Sequence, residues 1–296
     1  MSVSSPKASE TWRRSWPLGD SVRRGSKWKD SYLIREEEKD ELETLLEFAQ
    51  KKGQLDKYVR RVRCEQKHRN AALMELRAAF YLEANGFSVV EWSPAGIGGH
   101  FGEFVVEGTC KQRVFVEVKG PEWQYDVQRD ELKAGRSGQP KYIDGECRSI
   151  RPPWEAIQFA VDKAYGRLRD NISNLVVSAA DRFVSVEHET DSAAQEALYS
   201  NSPPGFGYFT DQRYQNLGGV GVFWVTFDGI CISEHRRSRP VYHMRLFPNP
   251  NALSATALPS DIQTAFRDEP SQPKVPLVGR EPSPLERYLA DAPKWK

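Results

Sequence analysis

The chain of 296 residues has no run of about eighteen uninterrupted apolar residues, so the sequence offers no transmembrane helix. Its first twenty residues lack an apolar stretch, which argues against a secretory leader. Cysteine is sparse: Cys64, Cys110, Cys147 and Cys231 stand apart, with no C-x-x-C pair for a zinc knuckle or a redox couple. Scattered single thiols suit a reducing compartment, and the cytosol is the expected location. The five histidines have no metal-ligand spacing, and no G-x-S-x-G, Walker A or H-E-x-x-H segment occurs. Net charge is also nearly missing, at +1, so the chain has no global basic footprint of an obligate nucleic-acid binder.

Local charge is abundant and segregated. Residues 36–47 carry seven acids against one lysine, and residues 51–69 carry eight Lys or Arg against two acids. Two readings stand: solvated helix faces that attract each other, or a basic helix that tracks a phosphate backbone.

Residues 1–30 mix Trp12, Trp16 and Trp28 with basic residues, Ser, Pro and Gly, and read as a flexible arm. N-terminal helices are expected over 31–67, the first over 36–51 with Leu42, Leu45, Leu46 and Phe48 inward and Gly53 as its stop. A helical stretch from Leu55 to Asn85, broken near 68–70, ends at Asn85-Gly86. Three β-rich runs follow at 87–92, 101–107 and 112–119, with a tight turn at Gly108-Thr109. Residues 121–151 form a long polar connection, a length that favours a functional role. Trp154, Ile157, Val161, Ala164, Tyr165 and Leu168 recur at helical spacing over 153–170. Asn174–Ala179 reads as a strand returning parallel to its neighbour. Over 181–250 the chain reads as a β-rich extension. It holds a hairpin turning at Asp228-Gly229 and a further strand at 241–247. Nine of the nineteen prolines fall at or after Pro248, so 251–296 reads as a Pro-rich tail, extended or disordered from about 260 with room for a short helix near 284–291.

The anomaly in this outline is charge on core strands. Glu117-Val118-Lys119 ends the apolar run from Val114, and an acid and a base two apart on a strand face the same side. Buried charge must pair, hydrogen-bond or hold a metal. Glu103 sits on the preceding run after Gly102. His100, offset by one in parity, points away and reads as structural. The Gly96-Gly98-Gly99 loop precedes a strand rather than a helix, so it lacks the dipole of a phosphate loop. Trp123 either lines the cleft or packs.

The order helix, three-strand meander, helix, strand, with Gly102-Glu103 and Glu117-Val118-Lys119 on the second and third strands, resembles the PD-(D/E)xK nuclease superfamily over about residues 68–180. The resemblance implies an α/β, restriction-endonuclease-like core with N-terminal helices and a C-terminal β-hairpin extension. It implies Mg²⁺ or Mn²⁺ held by Glu103, Glu117 and the Val118 carbonyl, with Lys119 near the attacking water. Glu75 on the preceding helix and Gln158 (with Tyr165) on the following one match positions where members carry supporting residues. The first acid here is Glu after Gly, where the superfamily usually has Asp, often after Pro. The implied partner is nucleic acid, DNA ahead of RNA, without a membrane, and a homodimer is compatible. The alternative is a nuclease-like module that binds or scaffolds without catalysis.

Overall fold

The computed structural model describes residues 17–24, 36–64, 66–96, 99–120, 153–180, 186–201, 207–232 and 235–266. The helices are α1 (Pro17–Arg24), α2 (Glu36–Lys51), α3 (Leu55–Val62), α4 (Gln66–Ala84), α5 (Pro153–Tyr165), α6 (Val186–Ala194) and α7 (Ser260–Ala265). The strands are β1 (Ser88–Trp92), β2 (Phe104–Glu107), β3 (Arg113–Lys119), β4 (Ser173–Ala179), β5 (Gly219–Ile232) and β6 (His235–Pro248). They form one α/β mixed sheet in sequence order. β1, β2 and β3 run antiparallel, β3, β4 and β5 parallel, and β5 and β6 antiparallel. Among the described residues no helix is long and apolar enough to cross a membrane.

Strand alternation sorts the sheet into two cores. Val114, Val116 and Val118 of β3 join a cluster with Leu45, Leu76 and Ala79 of α2 and α4. Phe115 joins the opposite cluster with Ile157, Ala160 and Ala164 of α5. Leu175, Val176 and Val177 of β4 are buried on both faces, as expected of a central strand in parallel pairing.

Helix ends follow local chemistry. Gly53 and Gly86 take φ of +68° and +92°, the left-handed conformation that stops α2 and α4. The break between α3 and α4 falls after Val62 rather than at 68–70. Cys64 N–H donates to the Arg61 carbonyl three residues back, a tightened last turn that ends α3. Arg69 instead lies inside α4 and is buried. α5 ends at Tyr165, not 170, because Arg167 N–H turns back to the Ala164 carbonyl beside Gly166.

Three expectations are corrected. The hairpin does not turn at Asp228-Gly229: those residues pair with Arg239 and Ser238, and the ladder continues to Ile232↔His235. A turn at 228–229 would pair β5 with residues 230–238. That would strand Val241, Tyr242, Met244 and Leu246, whose burial against the sheet fixes the longer register. Residues 17–24 are not part of a loose arm. Glu43 accepts the first free amides of α1, Leu18 N–H at 3.1 Å and Gly19 N–H at 2.7 Å, and Val22 is fully buried. Residues 260–266 are not extended, since α7 buries Ile262 and Phe266 in the core of the α2 and α4 face. The rest of the arm (1–16, 25–30), the 121–151 connection with Trp123, and residues 267–296 lie outside the described residues.

The acidic helix is not simply a solvated face. Asp40, Glu41 and Glu43 are buried, not solvated. On the basic side, Lys52 pairs with Glu83 at 2.7 Å, and Lys57 donates to Ser93 at 2.9 Å. Arg61 pairs with Glu75, and Arg63 donates to the Ser21 carbonyl at 3.0 Å.

Candidate active site

The β2–β3 register brings the two acids together. Phe104 pairs with Val116 and Val105 with Phe115, so one step further the same register sets Glu103 opposite Glu117. Glu103 lies just before β2 rather than within it. Its carbonyl accepts Ser93 N–H at 2.9 Å, which continues the β1 ladder past the strand end. Gly102 is required by the floor beneath it: the Phe115 ring occupies the space where a Cβ would project. Alternation places Glu117 and Lys119 on the Phe115 side of the sheet, beneath α5.

Two carboxylates facing each other across adjacent strands repel. Lys119 relieves this, with Nζ 3.5 Å from Glu103 Oε1 and 3.2 Å from Glu117 Oε1. One lysine cannot neutralise two acids. Arg167, on the turn after α5, supplies the balance, with Nη1 3.2 Å from the same Glu117 Oε1. Glu117 is fully buried, yet its other oxygen, Oε2, has no hydrogen-bond partner among the described residues. Burial therefore pushes the Glu117 carboxyl up to about 7. Lys119 opposes that shift, the Glu103 charge adds to it, and Arg167 opposes it again.

Glu75 extends this charge cluster from α4. It is 3 % exposed, takes both ends of the Arg61 guanidinium, and lies 3.4 Å from the Tyr58 hydroxyl. Its partner is Arg61 and not Arg77, which pairs with Glu41. Burial, and then the Glu103 charge, push Glu75 up to about 7 against the hold of Arg61.

Val118 turns its side chain to the α2 and α4 face. Gln158 is half-buried on α5, and its carbonyl accepts the Tyr208 hydroxyl at 3.4 Å. Among the described residues no hydrogen bond joins its amide to Glu103 or Glu117. Tyr165 donates to the Arg213 carbonyl and packs on Tyr214 with ring centroids 4.6 Å apart. His100 is exposed, and its carbonyl takes Gly96 N–H at 2.7 Å. Gly96 abuts the Arg167 carbonyl so closely that a Cβ would collide with it. That glycine therefore seats the Arg167 turn.

Arg167, Arg61 and Tyr58 are the site residues that the sequence reading missed. No spacing motif marks them. The usable signal for Arg167 was the charge count, two acids on facing strands with one lysine between them.

Among the described residues no three His, Cys, Asp or Glu side chains gather as a metal-ligand group. The donor set is a carboxylate pair, which suits a hard cation that keeps most of its waters. No family model, no curated protein and no solved structure matches the chain.

Proposed function

We propose that the chain is a divalent-cation-dependent nuclease with a restriction-endonuclease-like core built from α4, the β1–β3 meander, α5 and β4. The observation that carries the reading is Glu117: a fully buried carboxylate, opposite a second acid, with one oxygen lacking a donor among the described residues. Burying a carboxylate oxygen without a partner is costly unless a cation completes it. Glu103 and Glu117 would hold Mg²⁺ or Mn²⁺ together with the Val118 carbonyl. Such an ion, when bound, polarises the phosphate and lowers the pKa of a bound water.

The side chains do the rest. Lys119, anchored on both acids, orients the attacking water and offsets charge on the phosphate. The water oxygen bonds to phosphorus, its proton departs to solvent, and the P–O bond to the leaving strand breaks, with that oxygen taking a proton. Glu75 supports the site from α4 through its charge on Glu103, while its own position is fixed by Arg61 and Tyr58. Gln158 is left a supporting role at most, through its place on α5. DNA is the expected substrate ahead of RNA, on the resemblance of the Glu103 and Glu117-x-Lys119 pattern.

A second reading, a binding module without catalysis, is favoured by one observation: Lys119 already bridges the two acids. The test is cleavage of plasmid and oligonucleotide substrates, DNA and RNA, by the purified full chain with Mg²⁺ or Mn²⁺. The nuclease reading expects cutting, lost by about a hundredfold or more in Lys119→Ala. Equal behaviour of the two proteins sinks it. Calorimetric titration with Mn²⁺ then separates the readings, because a binding module has no need of metal at Glu103 and Glu117.

A further inference from the structure

Arg167 is more than a counter-ion. Its backbone is fixed: Arg167 N–H donates to Ala164 at 2.8 Å, Gly96 packs on its carbonyl, and Leu168 beside it is buried. Its side chain is 36 % exposed, although the carboxylate that it touches is fully buried. The guanidinium therefore spans the boundary between Glu117 and solvent, and among the described residues its nitrogens beyond Nη1 remain for a second partner.

Charge counting says what that partner is. Glu103 and Glu117 are balanced by Lys119 and Arg167 as the structure stands. A divalent cation between the two acids balances them by itself. Lys119 and Arg167 would then hold two positive charges in surplus at the mouth of the site. A phosphodiester carries one negative charge and gains further charge on its oxygens as water adds to phosphorus. We propose that Arg167 is a substrate-phosphate ligand, held on Glu117 until a divalent cation takes over that carboxylate and then free to fork onto the phosphate.

The proposal rests on the nuclease reading, and its signature is a pair of effects of opposite sign. Arg167→Gln removes a competitor for Glu117 and a ligand for phosphate together. In the full-length protein, calorimetry with Mn²⁺ alone is expected to give about threefold tighter binding than wild type. A labelled DNA duplex titrated in Ca²⁺ is expected to bind about tenfold more weakly. Arg167→Lys keeps the charge and loses the fork, so it should bind Mn²⁺ as wild type does and recover part of the duplex affinity. A purely structural arginine predicts that Arg167→Gln weakens both or changes neither, and either result overturns the proposal. If wild type binds Mn²⁺ and duplex but Arg167→Gln leaves both unchanged, Arg167 alone is misassigned. If wild type binds no Mn²⁺, the nuclease reading falls and this inference falls with it.

Discussion

Glu41 and Glu117 are both carboxylates with almost no exposure, each beside an arginine, and they are built to opposite ends. Glu41 is complete. Arg77 meets it with Nε at 2.8 Å and Nη2 at 3.0 Å, one on each oxygen, and the Tyr242 hydroxyl adds a third bond at 2.8 Å. Arg77 itself is only 2 % exposed, so the pair ties α2, α4 and β6 together inside one core. Glu117 has two cations crowded on Oε1 and no donor on Oε2 among the described residues, and its cations reach solvent. A buried ion pair that serves the fold satisfies every lone pair it can. On the proposed reading, the second oxygen of Glu117 is the one a cation would complete.

The largest effect that can break this contrast is at Arg77. Arg77→Met strands Glu41 in the core and is expected to cost about 3–5 kcal/mol in urea unfolding. Arg167→Met removes a half-exposed partner of Glu117 and is expected to cost less than about 1 kcal/mol. Equal losses would erase the distinction between the two carboxylates.

The same contrast explains what the sequence made legible. Glu117-Val118-Lys119 could be read because strand parity is a local rule: two residues apart means the same face. The meander, the parallel return of β4 and the stops at Gly53 and Gly86 rest on equally local signals. Glu103 opposite Glu117 needed the hairpin register, which the run lengths suggested only roughly. Arg167 and the Arg61–Glu75 fork could not be read, because each joins elements brought together by packing. Asp228-Gly229 misled for the mirror reason. A strong local turn signal was overruled by the burial of Val241, Tyr242 and Met244 on the far strand. The buried acids of α2 were misread as a solvated face because their partners, Arg77 and the α1 amides, come from other elements.

A smaller effect sharpens the contrast from below. Gly102 sits on the Phe115 ring, so Gly102→Ala forces either the ring or the Glu103 backbone to move. The expected cost is about 1–3 kcal/mol. Phe115→Leu, which opens space under residue 102, should recover part of it in a double-mutant cycle. Strict additivity of the two substitutions would mean that the floor of the site is looser than the packing indicates.

The smallest expected effect carries the opposite sign. The Glu117 carboxyl is raised from 4.5 to about 7 in the folded chain, chiefly by burial. Between those values the folded state binds more protons than the unfolded one, so stability falls as pH rises through that window. Above about pH 7 the folded chain bears the cost of an ionised Glu117. Glu117→Gln removes that charge and keeps an acceptor for Lys119 and Arg167. At pH 8 it is expected to gain about 1 kcal/mol of stability. At pH 5, where wild-type Glu117 is already protonated, the gain should vanish. Glu41→Gln, which breaks a completed fork, should lose stability at both pH values. Thermal melts of the two variants at pH 5 and pH 8 decide the matter. A loss at pH 8 from Glu117→Gln as large as that from Glu41→Gln would make Glu117 a structural carboxylate and remove the case for a cation beside it.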